Sequence, residues 1–506
     1  VLTPAQMARW QQAQTATEPV EVVTLAEAIE NAKDKSKGKK TWSYEAINVR
    51  DFAFNSSRRL VWDAMAADVE GKKVMCMSYY GKEAYPIYKK YSTKAVYHTI
   101  KTYSKFTIAY PYPVAISVEA SIGMEYPMIA MNYGRAEKDG TYSEATKYGA
   151  IGVIIHEVGH NFFPMIINSD ERQYWWMDEG LNTFVQFLTE QEFDNNYPSR
   201  RGPAHLIADY MKLPKDMLEP IMTKGDNVAS VGSNAYAKAA TGLNILRETI
   251  MGRELFDYAF KEYARRWAFK HPTPNDLFRT MEDASAVDLD WFWRGWYFGT
   301  DPVDIAIDSV KWFRLDANKN LASMKAPEFE TISKVRNRDD KNLIYYTNTD
   351  TTLRDYYYYN RAADAKMFQD MAQQQLDAQK DNANYAAWED KHFYELQFSN
   401  KGGMVMPIIV EWTFTDGSKE VDRIPVGIWK LNEQKVTKLF AKNKEVAGIK
   451  LDPMRETADI NESNGMWPVR EMPSRFQLFK GASTISGLGA PRGGGPSTNA
   501  MQKAKK

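Results

Sequence analysis

Apolar positions along the chain change period several times. Ala84, Ile87, Tyr91, Ala95, Ile100 and Tyr103 fall at helical spacing, which predicts a helix from Glu83 to Phe106. After Tyr110-Pro-Tyr-Pro113, Val114, Ile116 and Val118 alternate with Ala115, Ser117 and Glu119 and predict a strand. Ser143 to Phe163 reads as a helix stopped before Pro164, and Trp176 to Phe193 as a second helix. Helical spacing continues through Ala237–Met251 and Leu255–Trp267. Upstream, Ile47, Val49, Phe52, Phe54, Leu60-Val61-Trp62 and Val74-Met75-Cys76-Met77 read as β-elements that finish a domain begun earlier.

Past Pro302 the period falls towards two. A strand over 303–314, a hairpin from Val405 to Val426 turning at Thr415-Asp416-Gly417, and a strand at Val446–Leu451 predict a small β-sandwich. Residues 353–390, rich in Tyr, Gln and Ala, read as a helical insertion. The expected organisation is α+β. It runs as an amino-terminal β-domain remnant and linker (1–79), a mainly helical unit with a small sheet (80–302), a β-sandwich (303–465) and a low-complexity tail (466–506).

Composition narrows the function classes. Lys+Arg and Asp+Glu are both 65, so nothing in the charge points to a nucleic-acid partner. One cysteine, Cys76, excludes an intrachain disulfide framework and a Cys-rich zinc module. Its strand-like neighbours argue against a nucleophile. No apolar run is long enough to span a bilayer. Residue 1 is Val and no signal peptide is visible, so we expect the start of the gene product to be missing. With the tail, this suggests a periplasmic, secreted or outer-surface bacterial location.

The chemistry concentrates in His156-Glu157-Val158-Gly159-His160. On a helix, His156 and His160 lie on one face a turn apart and can reach one ion, with Glu157 beside them as a base. A catalytic zinc takes three protein ligands and keeps a fourth position open. Glu179, on the next predicted helix, supplies the third if the helices pack antiparallel. The donor set fits one Zn2+. The chain has only six histidines, and His98, His205, His271 and His392 lack such a context; packing is the reading for them.

The H-E-x-x-H motif with Glu179 resembles the M1 family of zinc aminopeptidases, gluzincins that include aminopeptidase N and leukotriene A4 hydrolase. Gly123-Met124-Glu125 resembles the family's G-x-M-E-N motif, and Tyr236-Ala237-Lys238-Ala239 its Y-x-K-G stretch. The resemblance implies a thermolysin-like zinc peptidase domain. Glu125, with Gly123 and Met124, would bind the substrate and its α-amine, Glu157 would act as general base, and Tyr236 would stabilise the oxyanion. Peptides with a free amino terminus would be the substrates. Ile122, Tyr126, Asp178 and Ala239 depart from the family pattern. Two alternatives remain: a zinc endopeptidase of the same fold, and a catalytically silent peptide-binding protein.

Overall fold

The computed structural model describes residues 2–34, 38–315, 330–360 and 387–468, with a few isolated positions in 366–377 and at 501. Its first half is built on a mixed six-stranded sheet. The strands are β1 (Val20–Val23), β2 (Val61–Val69), β3 (Lys72–Tyr80), β4 (Val114–Glu119), β5 (Met124–Tyr126) and β6 (Ile129–Asn132). They lie side by side in the order β1-β2-β3-β4-β6-β5. β2 and β3 form a hairpin with Met65 opposite Cys76, and β3 runs parallel to β4 with Met77 opposite Ile116. Among the described residues β5 is an edge strand that pairs only with the antiparallel β6, with Glu125 opposite Ala130.

β2 and β3 therefore do not finish a separate preceding domain, as expected for 1–79; they are central to the sheet that leads into the site. Their near-continuous apolar text follows from burial on both faces. Met65 and Cys76 pack into the main core, while Ala64, Met75 and Met77 meet Trp10 and Ala13. Trp10 lies on α1 (Pro4–Ala13), and its ring sits 5.1 Å from that of Trp62. A short helix, α2 (Leu25–Asn31), follows β1 and is closed by a capping box from Thr24 to Glu27. The segment around Ile47, Phe52 and Phe54 forms no strand; these side chains and Trp42 are exposed on an irregular stretch. Cys76 is fully buried, and burial pushes its thiol far above the usual range.

Helix α3 (Tyr85–Phe106) packs on β2 and β3, with Ile87, Ala95, Ile100 and Tyr103 buried. α4 (Glu144–Gly159) is held at its start by Ser143, whose Oγ accepts from Thr146 N at 3.1 Å. It is buried along nearly its whole C-terminal half, as expected of a central helix. α4 ends four residues before Phe163, where the pattern placed its end. A proline disfavours helical backbone in the residue before it, and 160–167 instead form tight turns such as Phe162 N to Gly159 O at 2.9 Å. α5 (Trp175–Phe193) lies against α3 and α4.

After a single turn, α6 (Ala208–Met211), comes a helical run over 232–250. Its middle, α7 (Ala239–Ile245), is α-helical, whereas Gly232–Lys238 and Leu246–Ile250 are wound as π-helix. α8 (Arg253–Trp267) and α9 (Pro274–Ser285) complete this half.

Two further sheets pack face to face, and their buried residues are continuous with the main core. One contains β7 (Ile305–Arg314), β8 (His392–Asn400) and β11 (Lys435–Lys442). The other contains β9 (Ile408–Phe414), β10 (Lys419–Ile424), β12 (Val446–Leu451) and β13 (Met466–Trp467). The ring of Trp412 on β9 lies 4.9 Å from Phe440 on β11 and 5.9 Å from Tyr394 on β8. Met466 and Trp467 pair with Lys450 and Ile449, so the sheet reaches past the expected start of the tail at 466. Residues 469–500 and 502–506 lie outside the described residues, as do 361–365 and 378–386 of the 353–390 insertion, in which Tyr356–Tyr359 forms one helical turn. No described helix is long and apolar enough to cross a membrane.

Candidate active site

Helices α4 and α5 bring three donor atoms together. His156 Nε2 lies 3.0 Å from Glu179 Oε2 and 3.1 Å from His160 Nε2, and His160 Nε2 lies 3.4 Å from Glu179 Oε2. Tetrahedral coordination at the usual Zn–N and Zn–O lengths requires donor atoms roughly 3.3 Å apart, so this triangle fits one face of a zinc site. Electrostatics agree. Burial alone lowers the pKa of His160, but Asp178, Glu125 and Glu179 outweigh it and hold the imidazole well above its ordinary range. Burial alone raises that of Glu179, and the histidines drive it strongly down. Carboxylates that draw positive charge onto a buried histidine are suited to a dication.

Each imidazole is oriented from behind. Gln186 Oε1 lies 2.8 Å from His156 Nδ1, and Gln186 Nε2 donates to Glu190 Oε1 at 2.8 Å. Asn182 Nδ2 donates to the His156 carbonyl at 2.8 Å and its Oδ1 accepts from Tyr103 OH. His160 Nδ1 has the Phe163 carbonyl and Asp178 Oδ1 both at 2.8 Å. The carbonyl takes the hydrogen bond, and Asp178 contributes charge. Asn182, Gln186 and Glu190 were not singled out from the sequence. The signal was present, because with Glu179 they make a polar stripe every three or four residues on a mostly apolar helix.

Glu157 is buried beside the triangle. Burial raises its pKa, and the positive charge of His156 and His160 opposes the rise. Its carboxylate faces Gly123, where a Cβ would stand 2.3 Å from Glu157 Oε1; any side chain at 123 would collide with that carboxylate. Met124 and Glu125 follow on the edge strand β5. Glu125 is buried and groups with His160 and Asp178, their ligand atoms within 4.8 Å of one another. Glu171, paired with Arg50, adds a further carboxylate on that side.

Tyr236 sits in the π-wound segment, a type of irregularity frequent at functional sites. Its ring stacks on His156 at 5.7 Å between centroids. Burial and the neighbouring Glu179 charge push its phenol far up, so it stays an O–H donor. Gly180 makes this approach attainable. A Cβ there would meet Ala239 Cβ at 2.5 Å and Ala235 O at 2.7 Å, so α5 crosses the 232–250 run almost backbone to backbone. A cavity of about 580 Å³ opens from His156, Glu157 and Gly123. Of the other described histidines, His98 Nε2 contacts the Thr189 carbonyl at 3.0 Å, His392 stacks on Trp312, and His205 and His271 are exposed.

Residues 91–296 match the peptidase family M1 domain. The chain is 26% identical over 181 residues to glutamyl aminopeptidase of Sus scrofa, covering 33% of this chain and 19% of that protein. It is 24% identical over 190 residues to probable aminopeptidase 1 of Sulfurisphaera tokodaii, covering 35% of this chain and 24% of that protein. It thus spans about a fifth to a quarter of the length of these relatives. Among solved structures it is similar in fold to Legionella pneumophila aminopeptidase A in complex with aspartic acid. There the TM-score is 0.51 at 11% identity, with 79% of this chain and 38% of that chain covered.

Proposed function

We propose that this chain, whose residues 91–296 match the peptidase family M1 domain, is a zinc-dependent aminopeptidase removing amino-terminal residues from peptides. The observation that carries the reading is the convergence of His156, His160 and Glu179 beside Glu157, with Glu125 grouped on the same site. We assign a thermolysin-like catalytic unit to the sheet and helices before Pro302, and the β-sandwich to the strands after it.

His156, His160 and Glu179 would hold the ion, and bound zinc would polarise the scissile carbonyl and acidify a water. Glu157 accepts a proton from the attacking water and returns it to the leaving amine. Its place beside the donor triangle puts it within reach of both transfers. Tyr236 donates its O–H to the developing oxyanion. Glu125 pairs with the substrate's α-ammonium and sets where the peptide begins. The unpartnered edge of β5 offers main-chain groups to an extended peptide, with Gly123 keeping the strand close to Glu157.

The test uses aminoacyl amides with free amines and their amino-acetylated counterparts, each with and without a chelator. Chelator-sensitive hydrolysis confined to the free amines is expected. Hydrolysis of both series would establish an endopeptidase, and hydrolysis of neither would leave a peptide-binding role.

A further inference from the structure

The cavity is lined by charged groups that have no part in this chemistry, among them Arg201. The cavity starts at Glu157 and follows α4 backwards past Val153 and Tyr148 to Glu144, roughly 20 Å at the helical rise. Glu125 lies at the opposite end of the same helix, with His160 and Asp178. A peptide whose amine is held at Glu125 and whose scissile carbonyl lies between Glu157 and Tyr236 therefore runs its leaving portion into the cavity.

Arg201 stands on that path. It follows α5 on a loop, and its guanidinium carbon lies 4.4 Å from the centroid of the Tyr236 ring. Among the described residues it has no hydrogen-bond acceptor and no carboxylate within salt-bridge distance. Of the carboxylates that act on it at longer range, Glu179 belongs to the donor triangle and Glu190 is already engaged, accepting from Ser199 Oγ at 2.6 Å and from Gln186 Nε2 at 2.8 Å. Glu144 is exposed at the far end. Burial lowers the pKa of Arg201, yet a guanidinium remains charged. A desolvated cation held only by carboxylates beyond salt-bridge distance, Glu179 and Glu190, is poorly compensated, and the planar fork of Arg matches a carboxylate in two parallel hydrogen bonds.

We propose that Arg201 forms a subsite for a substrate carboxylate on the leaving side of the scissile bond. The carboxylate is either the α-carboxylate of a dipeptide or the Asp or Glu side chain of the second residue in a longer peptide. The peptide's direction rests on the aminopeptidase reading.

Two substrate pairs test it on the zinc-loaded full chain. Ala-Asp-amide against Ala-Asn-amide reads a side-chain carboxylate, and Ala-Ala against Ala-Ala-amide reads the α-carboxylate. In each pair the ratio of kcat/KM, carboxylate over carboxamide, is measured for the native chain, Arg201→Gln and Arg201→Lys. The ratio cancels any general loss caused by removing the cation stacked on Tyr236. The native chain should favour the carboxylate about tenfold in at least one pair, and that pair identifies the source. Arg201→Gln should bring the ratio close to one, and Arg201→Lys should keep part of it. Native ratios near one in both pairs, or a native preference that survives Arg201→Gln, would overturn the subsite. If no peptide is turned over, the aminopeptidase reading fails by itself. Calorimetric Kd values for the same four peptides then decide: a carboxylate preference lost in Arg201→Gln supports the subsite, and equal affinities within both pairs overturn it.

Discussion

At the scale of single residues, the proposed reading separates holding a metal from moving a proton. His156, His160 and Glu179 form the donor triangle, whereas Glu157 stands beside it, buried and against Gly123. Glu157→Gln keeps size and hydrogen bonding but cannot take a proton. It should retain stoichiometric zinc by elemental analysis while kcat falls by about 10²–10⁴-fold. Loss of metal in the variant, or a kcat close to native, would remove Glu157 from its role. These residues were legible in the sequence because i and i+4 on a helix specify proximity without a tertiary structure. Asp178, Gln186 and Arg201 were not, because each acquires its role from what folding sets against it. Asp178 meets His160, Gln186 meets His156 and Arg201 meets Tyr236. The first two lie on α5 beside or in the stripe that begins at Glu179 and had a detectable signal; Arg201 lies in a loop, where no period applies.

At the scale of elements, the helices follow from their own sequence, but which strands pair with which does not. The apolar text of β2 and β3 is compatible with any doubly covered strand, and only the parallel pairing of β3 with β4 assigns it to the site's sheet. Ile47, Phe52 and Phe54 show the reverse error: residues typical of strands left exposed where nothing pairs with them. The crossing of α5 on the 232–250 run is the element-level feature on which the chemistry depends, since it brings Tyr236 to Glu179. Gly180→Ala should drive the two backbones apart, because its Cβ would overlap Ala239 Cβ and Ala235 O. Overpacking of this kind costs about 1–3 kcal/mol, to be read as a lower denaturant midpoint. Displacement of Tyr236 should lower kcat as well, with zinc still bound. An unchanged midpoint together with unchanged kcat would mean that the crossing tolerates a methyl group and does not set the position of Tyr236.

At the scale of the whole molecule, the mainly helical half and the paired sheets are joined where the chain leaves Pro302. Asp459 is the fastening there: its Oδ2 accepts from Ile305 N at 2.9 Å and its Oδ1 from Asn461 N at 2.7 Å, while Ile460 N donates to the Val303 carbonyl. Burial raises the Asp459 pKa from an ordinary 3.8 to about 6, helped by the charges of Asp304 and Asp452 and opposed by the two N–H donors. The sign follows from linkage. A carboxyl with a raised folded-state pKa binds its proton more tightly in the folded protein than in the unfolded chain. Its contribution is therefore fully present below about pH 4, declines as pH rises through about 6, and is constant above that. The span is at most about 3 kcal/mol. Asp459→Asn has no proton to lose, so native stability should fall relative to the variant between pH 4 and 6 and then run parallel to it. Unfolding midpoints of both proteins at half-unit steps from pH 4 to 7.5 measure this difference. A difference that stays flat across the interval would show that Asp459 ionises at its ordinary value, and that its two backbone hydrogen bonds compensate fully for burying the charge at the junction.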